Sequence, residues 1–158
     1  MSGDVPPARI ATIGYQGAAP VRFIETLHAA DVAELVDVRA VPWSRRPEFV
    51  QRALAAALAE AGIAYRHLPA LGNPEAGRQA AKSGQSYAAI YNAHLDGAPA
   101  RAAMAALAAE AAGRRFCLMC MERDPAQCHR SLLAARLARD WGLAVEHLHV
   151  GAAQLSLF

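Results

Sequence analysis

Short apolar runs alternate with helical stretches along most of this 158-residue chain. That alternation restricts the folds open to it more than any other feature. Ala8 to Gly14 reads as a first strand, followed by a glycine-containing turn and a stretch from Pro20 to Ala30 in which Val21, Phe23, Ile24 and Leu27 recur at helical spacing. Ala33 to Val38 reads as a second strand. Pro47 and Glu48 open a helix that runs to Ala61 and stops at Gly62, and Ile63 to Leu68 is a third strand. Strands and helices in that order require parallel pairing, with helices laid over the faces of a sheet.

The second half continues the pattern after an interruption. Pro69 to Gln85, with Gly72, Pro74, Gly77 and Gly84, reads as a long polar loop and, for its length, as a functional lid. Ser86 to Leu95 and Pro99 to Ala112 are helical, Arg115 to Cys120 is a fourth strand, Gln127 to Trp141 is a helix ended by Gly142, and Leu143 to Leu148 is a fifth strand. The expectation is a single three-layer α/β domain over residues 1–150, Rossmann-like, with a mostly parallel sheet of about five strands flanked by helices. Residues 151–158 form a C-terminal tail.

Composition adds bounds rather than detail. The apolar fraction of 54% is inflated by alanine runs such as Ala53 to Ala59 and Ala102 to Ala112, which make helices more than cores. No apolar run approaches the roughly 20 residues of a membrane span, and Met1 to Arg9 lacks the basic start and apolar centre of a secretory signal. No membrane association and a cytoplasmic location are therefore the default expectations. A formal charge of +2 permits nucleic-acid binding without arguing for it.

The chemistry is concentrated between Cys117 and Arg130, which hold all three cysteines, Glu122, His129, Arg123 and Arg130. An odd cysteine count at short spacings reads as reduced thiols or metal ligands rather than a disulfide framework. Cys117-x2-Cys120-x7-Cys128-His129 offers four ligands of the zinc type. Residues three apart on a strand point to opposite faces, however, so Cys117 and Cys120 do not readily share an ion, and no metal is assigned. Cys117 reads instead as a small buried hydrophobe.

That leaves Cys120 and Glu122 just past a strand end, with Cys128, His129 and Arg130 at the start of the next helix. Free backbone N–H groups and the helix dipole there favour an anion and lower the pKa of a nearby thiol. Cys120, Glu122, Cys128 and His129 are thus the candidate catalytic residues, with thiolate and proton-transfer roles. The bland alternative pairs Glu122 with an arginine and packs the cysteines.

In an open parallel sheet, ligands sit outside the carboxyl ends of the strands. Here those ends carry Tyr15, Asp37, Arg39, His67 and Cys120 to Glu122. Arg39, Arg45 and Arg130 offer guanidinium forks for phosphate oxygens, and Trp43 offers a face on which a base can stack. Tyr15, Asp37, Arg39, Ser44, Arg45, His67 and Arg130 are the candidate ligand-binding residues. A plain Asp37–Arg39 salt bridge beside a solvated loop is the alternative.

Four blocks together resemble a known family: Thr12-Ile13-Gly14-Tyr15; Asp37-Val38-Arg39-x2-Pro42-x-Ser44; Gly62-Ile63-x-Tyr65-x-His67-Leu68-x2-Leu71-Gly72; and Cys120-x-Glu122-x5-Cys128-His129-Arg130. In that order they look like the domain of unknown function 488 family. The resemblance implies shared ancestry and marks Tyr15, Asp37, Arg39, Ser44, Tyr65, His67, Cys120, Glu122, Cys128, His129 and Arg130 as its recurrent polar positions. It implies no particular reaction, and no cofactor follows from it. The first block carries Tyr15-Gln16 where the family often has His-Ser.

The last five residues, Gln154-Leu155-Ser156-Leu157-Phe158, resemble the short peptide by which bacterial replication and repair proteins bind the sliding clamp. Gln154, Leu155, Leu157 and Phe158 are the candidate partner-binding residues, a free tail being able to insert them into a partner's pocket. The alternative has the leucines and Phe158 pad the protein's own core. The combined reading is a DNA-associated repair or processing factor that holds a nucleic acid or nucleotide and docks on the clamp. Two rivals stand beside it: a non-catalytic binding module, and a thiol-dependent redox or small-molecule enzyme unrelated to DNA.

Overall fold

The computed structural model describes residues 6–151, and the candidate clamp-binding residues Gln154 to Phe158 lie outside the described residues. Five strands form one all-parallel sheet: β1 (Arg9–Gly14), β2 (Glu34–Asp37), β3 (Ala64–His67), β4 (Phe116–Cys120) and β5 (Ala144–His147), in the spatial order β3-β2-β4-β1-β5. The expected three-layer α/β architecture is what the chain adopts.

Helix α1 (Pro20–Ala29) joins β1 to β2, and α2 (Gln51–Glu60) joins β2 to β3. Both cover one face, where Ala11 and Ile13 of β1, Leu35 of β2, and Cys117 and Met119 of β4 pack against Phe23, Leu27, Leu54 and Leu58. Helices α4 (Ala88–Leu95), α5 (Ala98–Glu110) and α6 (His129–Trp141) cover the other face, against Ile10, Val36, Phe116 and Leu118. Strand residues alternate between the two cores because successive side chains point to opposite faces. Cys117 and Cys120 accordingly belong to different cores, as their spacing predicted.

Two local readings need correction. The segment 69–85, expected to be an open loop, holds a one-turn 3-10 helix (Pro69–Leu71) and α3 (Glu75–Lys82). Glu75 in the first turn and Lys82 in the last complement the helix dipole. Gly77 does not interrupt the helix; it is buried where an added Cβ would lie 2.9 Å from Cγ of Asn73. The second correction concerns helix starts. The stretch from Pro47 begins as a 3-10 turn (Pro47–Phe49) and becomes helical only at Gln51, and the last helix begins at His129 behind a 3-10 turn (Pro125–Gln127). Its end is as expected, with Gly142 in the left-handed conformation at φ 69°.

The topology positions the site. From β1 and β2 the chain leaves toward one face, whereas from β4, which lies between them, it leaves toward the other. The carboxyl end of β4 is therefore a switch point, where diverging connections leave crevices on both sides. Among the described residues no helix is long and apolar enough to cross a membrane.

Candidate functional site

The turn from β4 to α6 is built around a buried arginine. β4 ends at Cys120, Asp124 caps the 3-10 turn by accepting from the Ala126 N–H at 2.9 Å, and Cys128 is the N-cap of α6, its Sγ accepting from the Arg130 N–H at 3.4 Å. The Arg130 side chain is 0% exposed. It donates from Nε to Thr12 Oγ1 at 3.2 Å, from Nη1 to Cys120 Sγ at 3.3 Å and to the Glu122 carbonyl, and from Nη2 to the Arg123 carbonyl at 3.2 Å. Loop 121–123 is thus tied by its carbonyl oxygens to a guanidinium rooted in α6.

Thr12 relays this network to β5. Its hydroxyl accepts from Arg130 and hydrogen-bonds with Nδ1 of His147 at 2.6 Å. Burial, then the Arg130 and His149 charges, lower its pKa from the ordinary 6.5. The unfolded chain takes up a proton near that value while the folded chain resists, so stability falls as pH drops below it. Denaturation midpoints at about pH 7.5 and about pH 5.5 should therefore differ, and differ less in His147→Gln. An undiminished difference in the variant would contradict this role.

Cys120 and Cys128 are paired as a disulfide, with Cα atoms 7.4 Å apart, whereas Cys117 is free and fully buried. The odd cysteine count argued against a disulfide. The pair forms because the end of β4 and the N-cap of α6 meet across the turn. Burial pushes the Cys117 thiol far above its ordinary range, which leaves it inert. His129 lies beside the pair, Nδ1 3.8 Å from Cys128 Sγ, with Nε2 donating to the Val38 carbonyl at 2.8 Å. Burial lowers its pKa, so its ring is neutral. Glu122 is half-buried, and burial raises its carboxyl pKa against the opposing pull of backbone hydrogen bonding and Arg130.

The facing wall is tied up in its own bonds. Asp37, 0% exposed, accepts from Arg39 Nε at 2.9 Å and Nη2 at 2.7 Å, and from the Tyr65 hydroxyl at 2.5 Å. Arg39 Nη1 donates to the Phe49 carbonyl at 2.8 Å, and His67 Nε2 to the Arg39 carbonyl at 2.7 Å. Tyr15 stacks on Phe49 with centroids 4.5 Å apart, and Ser44 Oγ accepts from the Arg46 N–H at 3.1 Å. The predicted residues thus converge on one sheet edge, but Asp37, Arg39 and Arg130 hold the frame together from inside.

Open surface lies on either side of a ridge made by Trp43, 61% exposed, and Met121, 47% exposed. One cleft of about 490 Å³ is lined by Arg78, Lys82, Tyr87, Glu122 and His129 among others. The second, of about 450 Å³, is lined by Tyr15, Gly17, Ser44, Arg45 and Arg46. Ridge residues Trp43 and Met121 belong to both. Arg45, Arg78 and Lys82 are exposed, and none has a carboxylate within 4.0 Å among the described residues. Sequence reading missed Arg78, Lys82 and Tyr87 because they fall in or beside the segment taken for a loop. The i, i+4 spacing of Arg78 and Lys82 was the available signal, since it places both on one face of a helix.

The family model described as "Domain of unknown function DUF488" matches residues 19–137. That span takes in the blocks from Asp37 to Arg130 and leaves out the one at β1. No curated protein matches the chain. No solved structure matches it either. With most of its length matched, and with the Cys120-x-Glu122-x5-Cys128-His129-Arg130 block at the centre of the site, the chain belongs to the domain of unknown function DUF488 family.

Proposed function

We propose that this protein is a DNA-associated repair or processing factor that binds single-stranded nucleic acid or a nucleotide across the twin clefts at the carboxyl edge of the sheet. The observation that carries this reading is the pairing of an exposed aromatic with carboxylate-free cations on both sides of it. Trp43 stands between Arg45 in one cleft and Arg78 and Lys82 in the other. A base stacks on an aromatic face whatever its identity, while cations on either side follow the phosphate backbone. Cys120, Glu122 and His129 line the first cleft, with Cys128 bonded to Cys120, and on this reading these four groups act on what binds there. The tail from Gln154 to Phe158 would bring the domain to the sliding clamp.

Binding of a fluorescently labelled single-stranded oligonucleotide tests the reading. Trp43→Ala should weaken it roughly tenfold, the loss of about one stacked base. Undiminished affinity in the variant would count against the ridge as a stacking platform. Deleting Leu157 and Phe158 should leave that affinity intact and abolish capture by immobilised clamp. Retained capture would remove the tail's role, no capture of the parent would remove the replication link, and either would leave the cleft reading standing.

A second reading, thiol-dependent redox chemistry, is favoured by one observation: Cys120 and Cys128 are paired beside the N-terminus of α6.

A further inference from the structure

We propose that in the reduced protein Cys120, Cys128 and His129 form a zinc site whose fourth position opens into the cleft lined by Glu122. The inference is independent of the nucleic-acid reading. Sγ of Cys120, Sγ of Cys128 and a ring nitrogen of His129 all lie within 4.8 Å of one another, and all three residues are buried. Two thiolates and an imidazole are a donor set that selects zinc over the hard cations. Setting Cys117 aside removed the fourth ligand from the sequence-based zinc pattern. The three remaining donors match the protein ligand count of zinc centres that keep one open position.

Each donor already has the outer partner that a ligand needs. His129 donates its Nε2 proton to the Val38 carbonyl at 2.8 Å, so Nδ1, on the side of the sulfurs, carries the lone pair. The Arg130 backbone N–H donates to Cys128 Sγ at 3.4 Å and the Arg130 guanidinium to Cys120 Sγ at 3.3 Å. Such second-layer bonds orient metal ligands and set the histidine tautomer. Both N–H···S bonds also favour the thiolate over the thiol.

The backbone spacing points the same way. Cα atoms of Cys120 and Cys128 are 7.4 Å apart, beyond the roughly 4.4–6.8 Å that disulfides usually span. Two thiolates on one tetrahedral zinc, each about 2.3 Å from it, have sulfurs roughly 3.8 Å apart, which suits the wider separation. Cys120, Glu122 and His129 line one cleft, so the buried cluster borders open volume.

The chemistry balances with an external dithiol. That dithiol passes two electrons and two protons to the Cys120–Cys128 bond and becomes a disulfide, leaving two thiols on the protein. Binding of Zn²⁺ then displaces both thiol protons to solvent. In the reverse direction an external disulfide takes two electrons from the thiolates and two protons from solvent to become a dithiol, which re-forms the Cys120–Cys128 bond and releases the ion.

The test is a titration of the full chain, reduced and held without oxygen, with Co²⁺ as the spectroscopic probe and Zn²⁺ as its competitor. The expected result is about one Co²⁺ per chain, with the thiolate charge-transfer and strong ligand-field bands of a tetrahedral site, both lost when Zn²⁺ displaces it. Cys117→Ala should bind as the parent does, whereas Cys128→Ala and His129→Ala should lose the spectrum. Failure of the reduced parent to develop these bands would overturn the proposal whatever the variants do. An octahedral spectrum, or one unchanged in Cys128→Ala, would overturn it equally.

Discussion

Arg130→Ala should lower the unfolding free energy by about 4 kcal/mol, a large part of the 5–15 kcal/mol typical of a domain. Arg130 is among the largest fully buried side chains, and truncating it opens a cavity between β1, β4 and α6. The carbonyls of Glu122 and Arg123 also lose their donor. A buried acceptor left unpaired costs about 1–3 kcal/mol. An opposing effect works on the same residue: Arg130 has no carboxylate partner among the described residues, so removing its charge relieves a desolvation cost.

Arg130→Met decides between these effects, because it nearly fills the volume and removes only the hydrogen bonds and the charge. If the carbonyl bonds dominate, the methionine variant loses about 2 kcal/mol. If desolvation dominates, it matches or exceeds the parent. We expect the loss, because four acceptors converge on one guanidinium that is already placed by helix α6. Urea denaturation of the parent and both variants, with the m-value checked for constancy, measures it.

Gly14→Ala should cost about 3 kcal/mol, at the upper end of the overpacking range. An added Cβ would lie 2.6 Å from the Glu122 carbonyl carbon, closer still to its oxygen, and 3.0 Å from Arg130 Nη1. None of these atoms can yield easily. Glu122 is held by Arg130, and the two turns are stitched together by Tyr15 N–H to the Cys120 carbonyl at 3.3 Å and Gln16 N–H to the Met121 carbonyl at 2.8 Å. The expected drop in melting temperature is roughly 6–12 °C.

Gly17 supplies the contrast, since its φ is +72° but nothing lies within 4 Å of a Cβ added there. Gly17→Ala should therefore cost only about 1 kcal/mol of backbone conformation. Equal losses at the two positions would contradict the close-packing account of Gly14.

These two substitutions also show where sequence reading reaches its limit. The alternation of apolar runs and helices was enough to place all five strands and their parallel pairing, because period and order are local properties of the chain. The alternation of Cys117 and Cys120 across the sheet was legible for the same reason. The burial of Arg39 and Arg130 was not, although the Asp37–Arg39 salt bridge stood as the alternative to ligand binding. Arginine in a loop or a helix start reads as a surface cation, and only three-dimensional closure reveals that Asp37 and a set of backbone carbonyls take both inside.

Segment 69–85 failed differently. Its glycines and prolines were counted as breakers, yet Pro74 caps α3 and Gly77 is a packing contact with Asn73. With the helix went Arg78 and Lys82, two of the three cations beside Trp43 that have no carboxylate partner among the described residues. The Cys120–Cys128–His129 cluster was half legible, since its members were singled out but the metal pattern was set aside together with Cys117. Convergence of a strand end on a helix N-cap is a tertiary fact that ligand spacing does not encode.

The most direct test of nucleic-acid binding at the twin clefts is the salt dependence of single-stranded oligonucleotide affinity. If Arg45, Arg78 and Lys82 each neutralise a phosphate, the logarithm of the association constant should fall with the logarithm of salt concentration, and these three should account for a slope of about −2. The Arg45→Ala, Arg78→Ala, Lys82→Ala triple variant should bind weakly at low salt and lose that part of the slope. An affinity and slope unchanged in the triple variant, or no binding by the parent at low salt, would contradict the account.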